Sequence, residues 1–87
     1  MQINYSQIFL KNYKKRIVNN INLDKQFQER LGMFLLDQRN PLLRTHKLVG
    51  AKKNLSAFSV TGDIRVVYYQ QGEMIFLIDI GTHNQVY

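Results

Sequence analysis

The sequence predicts an α+β domain of order β-α-α-β-β-β, with a two-helix hairpin packed on one face of a small, mainly antiparallel sheet. Three observations predict it. Between Ser6 and Gln38 apolar residues recur at the helical period. Beyond Asn40-Pro41 the pattern changes to short runs rich in β-branched and aromatic residues. Two turn signals, Thr61-Gly62-Asp63 and Gln71-Gly72, join the last three runs, and connections that tight make antiparallel neighbours.

Taken in order, Met1 to Tyr5 reads as a short edge strand. Ser6 is the N-cap of a helix reaching about Val18, with Phe9, Tyr13 and Ile17 on its buried face. Asn19-Asn20 breaks the pattern. A second helix is expected from Leu23 to Gln38, with Phe27, Leu31, Phe34 and Leu35 as a single apolar stripe. Asn40-Pro41 should end it, because a residue before proline disfavours the helical region. Residues 41–54 read as an extended loop. Strands follow at Leu55–Val60, Ile64–Tyr69 and Glu73–Ile80. The last two carry apolar residues on both faces and should be central. The chain is read as one domain spanning 1–87, a length that supports one modest core.

The 87 residues hold twelve Lys and Arg against six Asp and Glu, a net charge of +6. No acidic residue precedes Asp24, while Lys11, Lys14, Lys15 and Arg16 cluster there. None lies between Asp37 and Asp63, a window that holds Arg39, Arg44, Lys47, Lys52 and Lys53. Two basic blocks on a small domain suggest a polyanionic partner. The first block sits on a helix and reads most simply as solvated surface. The second contains His46 and suits a working surface. Cysteine is absent, so disulfide and thiolate chemistry are excluded. No apolar run approaches the roughly 20 residues that span a bilayer, and no leader pattern is evident. A soluble cytoplasmic protein, with no membrane partner, is expected.

Alternation places Arg65, Val67 and Tyr69 on one face of the Ile64–Tyr69 strand and Ile64, Val66 and Tyr68 on the other. Arg65 is then a charge inside an apolar strand. Either it pairs with Asp63 or Asp79, or it binds a phosphate on an open sheet face. The final stretch, Asp79-Ile80-Gly81-Thr82-His83-Asn84-Gln85-Val86-Tyr87, runs a buried strand into groups suited to moving protons and stacking on a base. His46 and His83 lack the spacing of a metal site, so neither a metal nor another cofactor is expected.

Three stretches carry a resemblance. They are His46-Lys47-Leu48-Val49-Gly50; Phe58-Ser59-Val60-Thr61-Gly62-Asp63-Ile64-Arg65-Val66-Val67-Tyr68; and Leu77 through Tyr87. Together they resemble the RelE/ParE superfamily of type II toxins, most nearly its YafQ-like branch. The likeness extends to Phe9, Tyr13 and Asn40-Pro41 and so covers nearly the whole chain. It implies the compact RelE-like toxin fold. It also implies an endoribonuclease that cuts messenger RNA on the ribosome and is held inactive by a cognate antitoxin in a hetero-oligomer.

Carried over by position, His46 matches the histidine of a His-x-Leu-x-Gly stretch, and Asp63 an acidic residue opening the third strand. Arg65 matches an arginine near the scissile phosphate, His83 the histidine of the Gly-Thr-His ending, and Tyr87 the terminal aromatic. RNA can cut itself when its 2′-OH attacks the adjacent phosphorus, which needs a base, an acid and a cation. His46 and His83 suit the proton transfers, and Arg65 suits the cation. Asp63 is expected to orient a histidine or act as base, and Tyr87 to stack on a base or donate a proton. Arg44, Lys47, Lys52 and Lys53 are expected to grip RNA phosphates. Two positions depart from the YafQ-like pattern: Ser59 stands in place of a histidine and Ile64 in place of an aromatic. The RelE branch's second-strand lysines are absent too. Two further readings stay open: a ParE-like inhibitor of DNA gyrase, and a catalytically degenerate toxin that only binds its antitoxin.

Overall fold

The computed structural model describes residues 1–50 and 54–87. Strand β1 (Gln2–Tyr5) leads into α1 (Gln7–Arg16) and α2 (Ile21–Leu36). A 3₁₀ turn (Pro41–Leu43) follows, then β2 (His46–Lys47), β3 (Ser56–Ser59), β4 (Ile64–Gln71), β5 (Met74–Thr82) and a final turn of helix, α3 (His83–Val86). The five strands form one sheet of order β1-β5-β4-β3-β2. β1 pairs with β5 in parallel, and every other pairing is antiparallel. The expected α+β architecture holds, with β4 and β5 central as their two-sided apolar pattern required.

Local chemistry sets the helix ends. The Ser6 hydroxyl accepts from the Phe9 N–H at 3.0 Å and donates to the Ile78 carbonyl at 2.9 Å, so one side chain starts α1 and ties it to the sheet. Asn20 caps α2 by accepting from the Leu23 N–H at 3.1 Å, which starts that helix two residues before the expected Leu23. α2 also stops earlier than expected, at Leu36 rather than Gln38. The cause is Asp37, not Asn40-Pro41. Asp37 is extended, and its carboxylate accepts from the Arg39 N–H at 2.9 Å, a local bond that competes with another helical turn. Asn40-Pro41 instead opens the 3₁₀ turn, with the Asn40 side chain accepting from the Leu42 N–H at 3.0 Å. The segment expected as an extended loop therefore contains both this turn and β2.

Phe9, Ile17, Phe27, Leu31 and Phe34 from the helices meet Phe58, Val66, Tyr68, Ile75, Leu77 and Ile80 from the sheet. Phe34 is fully buried, with its ring centroid 4.7 Å from that of Phe58 and 4.9 Å from that of Tyr68. Removing a ring packed this way costs about 3–5 kcal/mol. Leu35, expected in the same stripe, is exposed, because Phe27, Leu31 and Phe34 complete the buried face of α2. The hairpin is joined by the Tyr13 hydroxyl, which donates to the Asp24 carboxylate, and burial together with that partner pushes the Tyr13 hydroxyl well above the usual phenol range.

One irregularity decides which face the functional groups occupy. Val67 pairs with Asp79, yet Tyr68 pairs with Leu77, so Ile78 is an extra residue in β5. Without it, strict alternation from Leu77 would send Asp79 and Gly81 into the core. The bulge shifts the phase by one. Ile80 enters the core at 0% exposure, while Asp79 and Gly81 join Val67 and Arg65 on the opposite face.

Candidate active site

β5 continues to Thr82, two residues past its expected end, and the chain then turns as α3 instead of trailing as a tail. The Gln85 Oε1 accepts from the Thr82 N–H at 2.8 Å, half of a capping box. Gly81 pairs across the sheet with Arg65, so α3 begins beside that arginine. His83 and Tyr87, four residues apart, project from one side of the turn with ring centroids 4.4 Å apart and edge-on at 81°.

These placements bring four of the five expected catalytic residues together. Arg65 Nη1 lies 3.3 Å from His83 Nδ1, and the Arg65 guanidinium carbon sits 5.7 Å from the Tyr87 ring centroid. The Tyr87 hydroxyl is 3.3 Å from His46 Nε2, and His46 Nδ1 is 2.9 Å from the Arg44 carbonyl. The sequence of contacts is Arg65, His83, Tyr87, His46. Three different regions supply them: β4, the α3 turn and the short edge strand β2.

Partner chemistry fixes the protons. A guanidinium only donates, so His83 Nδ1 accepts from Arg65 and the neutral ring carries its proton on Nε2. A carbonyl only accepts, so His46 Nδ1 carries a proton, and Nε2 of the neutral ring accepts from Tyr87.

Arg65 pairs with neither Asp63 nor Asp79. The Asp79 Oδ1 accepts from Asn12 Nδ2 at 2.7 Å and from the Ile80 N–H at 2.8 Å, and lies 3.4 Å from Arg16 Nη1. Among the described residues no carboxylate lies within ion-pair distance of Arg65, and its buried Nε has no hydrogen-bond partner. A half-buried guanidinium with no carboxylate partner is placed to receive an anion.

Asp63 stands apart. It is exposed in the β3–β4 turn, where its N–H donates to the Thr61 hydroxyl at 3.1 Å, and no hydrogen bond or ion pair joins it to the four clustered residues. Lys47 is exposed beside His46 on β2. Arg44 is exposed at the end of the 3₁₀ turn with φ 48°, ψ 41°. Lys52 and Lys53 lie outside the described residues.

Three supporting residues had no place in the sequence-based site: Arg16, Gly81 and Gln85. A Cβ on Gly81 would lie 2.6 Å from Gln85 Oε1 and 2.7 Å from Arg16 Nη1. Those two side chains occupy the space that glycine leaves, and Arg16 Nη1 also donates to the Ile80 carbonyl at 2.8 Å. The Thr82-x-x-Gln85 spacing was a readable signal for the turn. Nothing in the sequence marked Arg16, because its reach to β5 depends on tertiary packing.

Among the described residues no group of three or more His, Asp or Glu is placed to hold a metal ion, and no helix is long and apolar enough to cross a membrane.

Solved structures of similar fold include several bacterial toxins. A copper-bound mutant toxin from Helicobacter pylori is 21% identical, with 100% of this chain and 99% of that one covered at a TM-score of 0.82. YafQ from E. coli strain BL21(DE3) is 20% identical, with 99% and 97% covered at 0.74. A YoeB/ParE toxin from Agrobacterium tumefaciens is 14% identical, with 95% and 99% covered at 0.77. No curated protein sequence matches the chain. The likenesses in structure speak for the fold, and the family is established by sequence: all of residues 1–87 match the family described as bacterial toxin of type II toxin-antitoxin system, YafQ. The chain thus belongs to the YafQ family of type II toxins.

Proposed function

We propose that this toxin is an endoribonuclease that cuts messenger RNA on the ribosome by in-line attack of the RNA's own 2′-OH. The observation that carries the reading is Arg65, a guanidinium with no carboxylate partner among the described residues, flanked by His83 and Tyr87 with His46 next in line. A phosphate is the anion that this arrangement suits best.

Arg65 would hold the non-bridging oxygens of the scissile phosphate and balance the charge that develops there. His83 is the acid. In the free protein Arg65 donates to its Nδ1. When Arg65 turns to the phosphate, Nδ1 is released, and the ring can become imidazolium and deliver a proton to the departing 5′-oxygen. His46 belongs on the base side, its Nε2 lone pair facing Tyr87. Asp63, exposed two residues before Arg65, is assigned to orienting the substrate strand. Lys47 and Arg44 flank His46 and would meet neighbouring phosphates, with Lys52 and Lys53 completing the basic segment. Affinity should then fall steeply with salt.

YafQ of E. coli has been solved in complex with DinJ, a toxin–antitoxin pair. We assign this chain a cognate antitoxin in the same manner, with ribosome and mRNA as its targets in the cytoplasm. The test is cleavage of mRNA on purified ribosomes. His83→Ala should cut at least about tenfold more slowly, the low end of a general acid–base contribution. A variant that cuts at the wild-type rate would remove His83 from the mechanism.

A further inference from the structure

We propose that Tyr87 and His46 form one proton-accepting unit, in which the Tyr87 hydroxyl meets the ribose 2′-OH and His46 takes the tyrosine's proton. The inference rests on the nuclease reading above and names the base in it.

Two hydrogen bonds carry it. The Arg44 carbonyl, 2.9 Å from His46 Nδ1, holds the ring in the tautomer whose open lone pair is on Nε2. That lone pair faces the Tyr87 hydroxyl at 3.3 Å, with the rings at 89°. The direction of proton flow is therefore set: from Tyr87 to His46. The Arg44 carbonyl is aimed by an unusual backbone. Arg44 is the one non-glycine residue with positive φ among the described residues, a conformation that costs roughly 1–2 kcal/mol. Leu43, fully buried, anchors the turn on one side, and β2 pairing of His46 with Ala57 anchors it on the other. Strain held between two fixed points, at a residue whose carbonyl orients a histidine, is consistent with a positioning device.

Position separates the roles of the pair. Arg65 contacts both His83 and Tyr87, and no contact joins it to His46. A phosphate held by Arg65 thus lies against Tyr87, with His46 one residue further out. Tyr87 is the catalytic group, while His46 and the Arg44 main chain are positioning residues that act through it.

The step balances. The 2′-OH proton passes to Tyr87 Oη as the tyrosine's own proton passes to His46 Nε2. The 2′-oxygen bonds to phosphorus, the bond from phosphorus to the 5′-oxygen breaks, and that oxygen takes a proton from the His83 imidazolium. The products are a 2′,3′-cyclic phosphate and a 5′-hydroxyl. His46 ends as imidazolium, His83 ends neutral, and exchange with water resets both.

The experiment has two arms. Nitrogen-15 NMR of the histidine rings in the free toxin should show His46 protonated on Nδ1 and His83 on Nε2. Arg44→Gly should keep the His46 tautomer, because glycine adopts positive φ freely and retains the carbonyl. In the second arm, Tyr87→Phe keeps the ring for stacking and removes only the hydroxyl. It should lower kcat at least about tenfold with KM nearly unchanged, and adding His46→Ala should cost little more, as expected of residues that act as a unit. A Tyr87→Phe toxin that cuts at the wild-type rate, multiplicative losses in the double variant, or His46 protonated on Nε2 would each overturn the pair while leaving the nuclease reading intact. Absence of cutting by the wild-type protein would refute the nuclease reading and the relay together.

Discussion

Gly81→Ala probes how the α3 turn is held in place. The added methyl would sit 2.6 Å from Gln85 Oε1, 2.7 Å from Arg16 Nη1 and 3.1 Å from Gln85 Cβ. Contacts that short do not persist, so both side-chain ends must withdraw. Gln85 then loses its bond from the Thr82 N–H, now 2.8 Å, a neutral hydrogen bond with a net value of about 1 kcal/mol. Arg16 loses its bond to the Ile80 carbonyl, also 2.8 Å and charge-assisted, with a value of about 1.5–3 kcal/mol. Both ends are flexible and partly reached by water, which recovers some of this. The expected destabilisation is about 1–3 kcal/mol, read as a lower urea midpoint with an unchanged m-value. Activity should suffer more than stability. His83 and Tyr87 ride on the displaced turn, and a misplacement of about 1 Å at reacting groups costs on the order of a hundredfold in rate. Adding Gln85→Ala should recover part of the stability, because the methyl then has room, so the two substitutions couple favourably. Wild-type stability and wild-type cleavage in Gly81→Ala would refute the packing argument.

Two further substitutions separate the site's cation from its scaffold. Arg65→Gln should lower cleavage about 10²–10³-fold, as loss of a transition-state charge partner does, while stability changes by only about 1 kcal/mol, because its buried Nε makes no bond and its contact with His83 is long, at 3.3 Å, and exposed. Equal losses in rate and stability would make Arg65 structural. Asp79→Ala should do the reverse: it strands Asn12 Nδ2, the Ile80 N–H and part of Arg16, costing about 1–3 kcal/mol by thermal unfolding, with the same RNA ends produced. A change in those ends would put Asp79 in the chemistry.

Much of the fold was legible in the sequence because its signals are local. Phe9 and Ile17 on α1, and Phe27, Leu31 and Phe34 on α2, repeat at helical spacing, and all five are buried. The tight turns around Gly62 and Gly72 set the antiparallel order of β3, β4 and β5. The features that escaped are non-local or too short to carry a period. β2 has two residues. α3 has four, well below the length at which a helix stands without tertiary support. The bulge at Ile78 leaves no mark in composition, yet it turns Asp79 out of the core and places Gly81 opposite Arg65.

The site was legible as a set of residue types and not as a geometry. His46, Arg65, His83 and Tyr87 were all nameable, but their line of contact depends on β2 meeting α3 across the sheet. Whether Arg65 pairs with Asp79 turned on strand register, which sequence leaves open. Arg16 settles it from the end of α1 by occupying Asp79 itself. Asp63, named beside Arg65 in sequence, is held in its turn with no hydrogen bond or ion pair to the cluster.

The central claim is that this YafQ-family toxin cuts RNA by 2′-OH attack, using Arg65, His83 and the Tyr87–His46 pair. The chemistry of the cut ends tests it most directly. The protein, incubated with programmed ribosomes, should leave a 2′,3′-cyclic phosphate on the upstream fragment and a 5′-hydroxyl on the downstream one. A 3′-hydroxyl with a 5′-phosphate would mean that water or another nucleophile attacks from outside the ribose, and would contradict the account.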